Sequence, residues 1–277
     1  MSVLAGPEVW ADRIVAARDV AQAAGQRALA GRAEAGFDGP GIDRKGPQDF
    51  VTAFDKAAED EIRTWLLGRF PDDHFVGEET GGLPGDGPTW VVDPIDGTTN
   101  FVRGFPFWAV SIALVSGGQI VGGVIHDAPR DVTYWAVRGV GAFRDDIPLT
   151  AATDVDVADA MVILGSARKA DIAAHLGLLD ALHASGAEHR RFGSAALALA
   201  LVAEGAADGY YEASLNAWDA LAGMCIAAEA GAMVSAPPLE MFLAGPGPVL
   251  AGAPALTDVI AAAIPAERRN RLRALRT

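Results

Sequence analysis

The sequence predicts stacked layers of helices and sheets in two parts, an α+β part with an antiparallel sheet followed by an α/β part. Three observations carry this. The chain opens on a long helical stripe. Its middle is a series of β-branched and aromatic runs separated by short turns of Gly, Pro and Asp. From about Ala151 onward strands and helices alternate, which is α/β wiring. The boundary is expected between Pro148 and Asp159, dividing the chain into 1–150 and 151–277.

Taken in order, Glu8 to Arg32 is predicted helical from the spacing of Val9, Ile14, Val15 and Val20 among many alanines. Gly36 to Gly46, rich in Gly and Pro, is expected to end that helix as a loop. Thr52 followed three residues later by Asp55 is a capping pattern, so a second helix is expected from about Ala53 to Phe70. His74 to Gly77 and Thr89 to Val92 read as short strands. The first ends at Glu78-Glu79 and the second at Asp93-Pro94. Phe107–Val115, Ile120–Ile125, Val132–Val137 and Ala142–Phe143 form a predicted antiparallel meander. Beyond the boundary, strands are expected at Met161–Leu164, Ala207–Tyr211 and Ala232–Val234. Helices are expected at Asp171–Ala184, Ala195–Glu204 and Ala217–Ala230. No internal repeat is visible. The Arg-rich tail, Glu267 to Thr277, reads as a solvated helix end.

Composition narrows the function classes. The chain has 277 residues, with 22 Lys and Arg against 36 Asp and Glu, so its formal charge is −14. That charge excludes a general basic field for nucleic acid. It leaves room for a phosphorylated small molecule if cations sit between protein and substrate. The single cysteine, Cys225, rules out an internal disulfide and Cys-rich zinc sites, and suggests a reducing compartment. No apolar run reaches the ~20 residues a spanning helix needs, and the N-terminus has no signal-peptide pattern. A cytoplasmic protein without a membrane partner is expected. Gly139-Val140-Gly141 lacks the third glycine and following helix of a dinucleotide fingerprint.

The chemistry lies in acids at the ends of elements. In Trp90-Val91-Val92-Asp93-Pro94-Ile95-Asp96-Gly97-Thr98-Thr99 an apolar strand delivers Asp93, and Asp96 follows three residues on. Gly97-Thr98-Thr99 then opens a short helix, whose first amides favour an anion. Carboxylates beside an anion site describe metal ions bridging to a phosphate. Two charges ~4 Å apart repel by roughly 1 to 4 kcal/mol at effective dielectrics of 80 to 20, so clustered acids need counter-ions. Oxygen ligands without nearby His or Cys favour hard ions such as Mg²⁺. Glu78-Glu79 ends another strand, and Asp219 sits in an otherwise apolar helix, where an unpaired acid is costly to bury. Cys225 and the scattered histidines, His126 included, read as structural.

These residues resemble the signature motifs of the inositol monophosphatase family. Gly77-Glu78-Glu79-Thr80, Asp93-Pro94-Ile95-Asp96-Gly97-Thr98 and Trp218-Asp219-Ala220-Leu221-Ala222-Gly223 carry the likeness. Lys45-Gly46 with Asp49-Phe50-Val51-Thr52 and Asp55 resembles the N-terminal motif. Gly193-Ser194-Ala195-Ala196 and Tyr210-Tyr211-Glu212 fit in order and spacing, so the resemblance spans roughly 17–232. After the Trp-Asp helix the family pattern has a strand and a Gly-containing turn leading to Asp. Here the stretch 235–248 is short and Pro-rich, which bears on the C-terminal edge of the substrate pocket.

The resemblance implies a layered αβαβα sandwich and a lithium-sensitive phosphatase using two to three Mg²⁺ ions. It implies that Glu78, Asp93 and the Ile95 carbonyl hold one ion, and that Asp93, Asp96 and Asp219 hold a second. A third would use Glu78 and waters. Asp55 and Thr98, with Glu79 nearby, would polarise the attacking water, and the Gly97 and Thr98 amides would hold the phosphate. Gly193, Ser194, Ala196 and Glu212, with Asp96, would line the alcohol side, and Lys45 would sit on a loop over the metals. A homodimer is also implied. The expected substrate is inositol monophosphate or a related small polyol or sugar phosphate. Histidinol phosphate, fructose 1,6-bisphosphate and a 3′-phosphoadenosine nucleotide are the alternatives within the family. The alternative of another class is a non-catalytic protein that binds a partner through the Arg-rich tail.

Overall fold

The structure is a computed structural model that describes residues 6, 8–35, 42–46, 49–165 and 171–275. Helix α1 (Glu8–Ala35) is followed by a two-stranded antiparallel ribbon, β1 (Ile42–Gly46) and β2 (Asp49–Thr52), then helix α2 (Ala53–Arg69). The loop expected through Gly46 is therefore a strand in its last five residues. The Gly and Pro signal could not show that these residues find a pairing partner in Asp49–Thr52. Residues 36–41 of that loop lie outside the described residues.

The first sheet has seven strands: β3 (His74–Gly77), β4 (Thr89–Asp96), β5 (Ala109–Ser116), β6 (Gln119–Asp127), β7 (Val132–Val137), β8 (Gly141–Arg144) and β9 (Ile147–Pro148). The pair β3–β4 is parallel and the rest form the expected antiparallel meander. Strand β4 does not stop at Asp93. It continues through Pro94 to Asp96, with a shift in its pairing to β5 between Asp93 and Asp96. A bulge accommodates the proline, which has no ladder N–H to give. Helix α3 (Thr98–Arg103) follows at once.

The second sheet has six strands in the order β11-β10-β12-β14-β13-β15. Its strands are β10 (Met161–Leu164), β11 (Glu188–Arg190), β12 (Gly209–Leu215), β13 (Met233–Ala236), β14 (Gly247–Gly252) and β15 (Arg273–Ala274), with α4 (Ile172–Ala184), α5 (Ala195–Ala203), α6 (Ala217–Glu229), α7 (Leu239–Ala244), α8 (Pro254–Ala263) and α9 (Ala266–Arg269) between them. The α/β alternation holds for β10, β11 and β12, which pair in parallel. Strands β14, β13 and β15 pair antiparallel. The Arg-rich tail is not only a helix end, because Arg273 and Ala274 add an edge strand to β13.

The layers follow from where the apolar faces go. Helices α1 and α2 cover one face of the first sheet through Ile14, Val20, Ile62 and Leu66 against Trp90, Val92 and Ile112. Helices α5 and α6 lie between the two sheets, and α4 and α8 cover the outer face of the second. The result is an αβαβα sandwich. Helix α5, Ala-Ala-Leu-Ala-Leu-Ala-Leu-Val-Ala, is apolar all round because sheets lie on both sides of it. Both faces of the first sheet are covered, so β4 is buried at every position, acids included. Each large side chain so buried contributes roughly 1.5–3 kcal/mol. Small residues let α6 come close. A Cβ on Gly123 of β6 would stand 2.6 Å from the Ala222 carbonyl oxygen and 2.9 Å from its Cα. No helix among the described residues is long and apolar enough to cross a membrane.

Candidate active site

Three elements deliver four acids to one place. Strand β4 brings Asp93 and Asp96, α6 brings Asp219 in its first turn, and the turn after β3 brings Glu78. Oxygens of Asp93, Asp96 and Asp219 lie within 4.8 Å of one another. The Glu78 carboxyl shares a hydrogen bond with Asp93. Asp93 and Asp96 are only 2 % and 7 % exposed. In this crowding the aspartates hold their protons more tightly than free carboxyls do. Burial pushes the Asp93 carboxyl well up, and the charges of Glu78, Asp96 and Asp219 push it further. Burial likewise raises Asp219 well above the usual range, reinforced by Asp96 and Glu78. Asp96 is raised by burial to about 6, held down by hydrogen bonds from Ser194 and the Ala196 amide. A divalent cation is the counter-charge such a cluster is built to take, and its donors are hard oxygens.

Each acid is held by a local device. The Ile95 amide donates to Asp93 Oδ1 at 2.9 Å. Asp96 Oδ2 accepts from the Ser194 hydroxyl at 2.5 Å and from the Ala196 amide at 2.7 Å. Ser194 is also the N-cap of α5, accepting from the Leu197 amide. Asp219 Oδ2 accepts from the Asn216 amide at 2.9 Å, so the acid also caps α6. The Ser111 hydroxyl of β5 donates to the Trp218 carbonyl and ties the start of α6 to the first sheet.

Beside the acids, the Thr98 hydroxyl lies 3.4 Å from Asp55 Oδ1 and 3.1 Å from the Ile95 carbonyl oxygen. Asp55 is 1 % exposed and stands in the first turn of α2. Gly97 is the N-cap of α3. A cavity of about 790 Å³ opens against Asp96 and Asp219 and is lined further by Gly193, Ser194, Arg191 and Glu212. Burial raises Glu212 to about 7, against the hydrogen bond that Tyr210 donates to its Oε2 at 2.8 Å.

The structure thus brings together Asp55, Glu78, Asp93, Ile95, Asp96, Thr98 and Asp219, with Gly97 beside them and Gly193, Ser194 and Glu212 on the cavity side. Ala196, expected on the alcohol side, is fully buried, and its amide donates to Asp96 Oδ2. The lining residues of the cavity run from Asp96 to Asp219, so the stretch 235–248 supplies none of them. Its residues Ala236 to Leu239 and Phe242 border a separate pocket with Arg138 and Arg273. Lys45 lies in β1, and its side chain is outside the described residues. His126 is buried against Thr133, and burial lowers its pKa. Cys225 is buried in the core, its thiol pushed up to about 12.

Two contributors carried no motif signal of their own, and a third, Tyr210, stood in the motif stretch Tyr210-Tyr211-Glu212 without an assigned role. Glu59 is fully buried in α2 and accepts from the amides of Glu79 and Thr80 at 2.8 Å each. Asn100 of α3 donates to the carbonyls of Phe107 and Phe192, both at 2.7 Å, joining the two sides of the cavity. Tyr210 holds Glu212. A Glu four residues after Asp55, on the same face of one helix, was the only legible hint among them.

Comparison with known proteins agrees with this geometry. The sequence model described as the inositol monophosphatase family matches residues 10–269. An inositol-1-monophosphatase of Mesorhizobium japonicum is 42% identical over 205 residues, covering 70% of this chain and 74% of the relative. A protein of Aquifex aeolicus named fructose-1,6-bisphosphatase/inositol-1-monophosphatase is 36% identical over 223 residues, covering 79% and 83%. The crystal structure of the extragenic suppressor protein suhB from Bartonella henselae is similar with a TM-score of 0.82 and 34% identity, covering 88% of this chain and 95% of that one. With these relatives and this arrangement of acids, the chain belongs to the inositol monophosphatase family and is a phosphoric monoester hydrolase.

Proposed function

We propose that this protein is a Mg²⁺-dependent phosphomonoesterase that hydrolyses inositol monophosphate or a related small polyol or sugar phosphate. The convergence of Asp93, Asp96 and Asp219 to within 4.8 Å, beside a cavity lined in part by Glu212, carries this reading. Glu78, Asp93, Asp96, Asp219 and the Ile95 carbonyl are the groups that would hold the ions. When bound, divalent ions acidify water and neutralise charge on the phosphoryl oxygens.

The chain's own residues supply the rest. The Thr98 hydroxyl, held between Asp55 and the Ile95 carbonyl, offers its oxygen to orient the attacking water. Asp55 is the base that receives the proton through that hydroxyl. The Gly97 and Thr98 amides, at the start of α3, face the phosphate oxygens, and Glu79 stands on the same turn as Glu78. As water adds to phosphorus the ester P–O bond breaks, the leaving alkoxide takes a proton from a solvent water in the open cavity, and the alcohol departs on the side of Glu212 and Ser194. Positioning and charge neutralisation suffice for phosphoryl transfer, so no covalent nucleophile is needed.

Glu212 favours recognition of hydroxyl groups. A second phosphate would meet its carboxylate, with Arg191 the one cation lining the cavity among the described residues. The name of the Aquifex aeolicus relative nevertheless puts fructose 1,6-bisphosphate on the test panel. Phosphate release should be measured on inositol 1-phosphate, histidinol phosphate, fructose 1,6-bisphosphate and 3′-phosphoadenosine 5′-phosphate. The expected result is activity that needs Mg²⁺ and is highest in kcat/KM on the polyol monophosphate. Turnover that survives excess EDTA, or an Asp96→Asn variant as active as the parent, would overturn the proposal.

A further inference from the structure

Helix α2 carries a second buried acid, one turn beyond Asp55, that the chemistry above does not use. Glu59 is 0 % exposed. A buried carboxylate is costly unless its oxygens are satisfied. Here Oε2 accepts from the Glu79 amide and Oε1 from the Thr80 amide, both at 2.8 Å. The remaining backbone of that turn is also pinned. The Glu78 amide donates to the Val92 carbonyl at 3.1 Å, and Gly77 and Gly81 exchange a pair of hydrogen bonds at 2.9 and 3.0 Å. The Glu59 carboxylate sits where a side chain of residue 77 would go. A Cβ on Gly77 would stand 2.4 to 2.5 Å from its carbon and both oxygens.

We infer that Glu59 is a positioning residue that holds the Glu78–Glu79 turn in the conformation that aims Glu78 at Asp93. The inference rests on the reading of the acids as a cation site. Two oxygens facing two backbone donors explain why the residue is an acid. The amide of a glutamine would present one acceptor and would turn an NH₂ against the other donor. The i, i+4 spacing places Asp55 and Glu59 on one face of α2. One rigid helix therefore fixes both the water-orienting pair Asp55–Thr98 and the turn that completes the acid cluster.

The test is direct Mn²⁺ binding to the full-length protein, followed by the electron paramagnetic resonance of free Mn²⁺, together with the Mg²⁺ dependence of activity. In Glu59→Gln the Mn²⁺ Kd and the half-activating Mg²⁺ concentration should both rise about 10- to 100-fold, the range for residues that orient metal ligands, while kcat at saturating Mg²⁺ stays within a few-fold. Gly77→Ala should do the same in the parent and add nothing in a Glu59→Ala background. This second route keeps the test open if Glu59→Gln folds poorly. Leu66→Ala, a core truncation on the same helix, should lower Tm without moving the Mn²⁺ Kd. Unchanged Mn²⁺ affinity in both Glu59→Gln and Gly77→Ala overturns the inference and leaves the phosphatase reading intact. So does a shift in Leu66→Ala as large as theirs. A parent protein that binds no Mn²⁺ brings down both readings.

Discussion

Replacing Asp93 by Asn should stabilise the metal-free protein while abolishing its response to Mg²⁺. Asp93 faces Glu78, Asp96 and Asp219, and the oxygens of the three aspartates lie within 4.8 Å. At an effective dielectric near 20, each ionised pair at that distance repels by roughly 3–4 kcal/mol, so two aspartate neighbours cost Asp93 roughly 7 kcal/mol. The group escapes part of that by taking up a proton. At about pH 8 protonating an ordinary carboxyl costs roughly 5–6 kcal/mol, which sets the ceiling. Relaxation and water entry reduce the gain expected from Asn to about 1–3 kcal/mol. The Asn Oδ1 can still accept from the Ile95 amide, so the local turn is kept. The pH dependence has a definite sign. The folded-state values of Asp93, Asp96 and Asp219 are all raised, Asp96 to about 6. Their stabilisation is therefore present below the unfolded value near 4 and is lost as pH rises through the folded values. The parent in EDTA should lose stability as pH rises from about 4 through about 6, where Asp96 ionises, and further as Asp93 and Asp219 follow, and Asp93→Asn should lose less. Urea unfolding followed by tryptophan fluorescence, in EDTA and again in millimolar Mg²⁺, measures both effects. An Asn variant that is less stable than the parent in EDTA at about pH 8, or that keeps the full Mg²⁺-induced rise, would refute the reasoning.

The other expectations concern the groups around the acids. Asp55→Asn should lower kcat by about 10²- to 10⁴-fold and leave the Mg²⁺-induced rise in Tm in place, because in the proposed mechanism Asp55 moves a proton rather than holding the ion. Loss of that rise would reassign it as a ligand. Ser194→Ala removes the N-cap of α5 and a hydrogen bond to Asp96, and should cost about 2–3 kcal/mol in urea unfolding. A change under about 0.5 kcal/mol would show that neither contact matters. Gly123→Ala drives a methyl into the backbone of Ala222 and should cost about 1–3 kcal/mol. The same push on α6 should weaken Mg²⁺ binding through Asp219, measurable by titration calorimetry, and an unchanged affinity would uncouple the helix position from the site.

Much of this was legible before any coordinates. Periodicity and turn residues located α2, β3, β10, α5 and α6 to within a residue or two, because each is bounded by a cap, a glycine or a charged turn. The acids could be singled out because a lone carboxylate is expensive among apolar neighbours. Reading failed where pairing decides the outcome. Ile42–Gly46 is a strand because it meets Asp49–Thr52, and β4 runs on through Pro94 because a bulge absorbs the proline. Strands β14 and β15 carry no alternation of their own and exist because β13 lies between them.

The amino-acid order alone determined which side chains carry charge, where chain direction changes, and that hard-oxygen ligands outnumber every other kind. Only the packed molecule decided that Asp219, more than a hundred residues after Asp93, meets it across the layer of α6, and that Glu59 rather than a motif residue braces Glu78. The reason is physical. Local propensity depends on neighbours along the chain, whereas the distance between two carboxylates depends on how closely helix and sheet can approach, and that is set by volumes contributed from elements far apart in sequence.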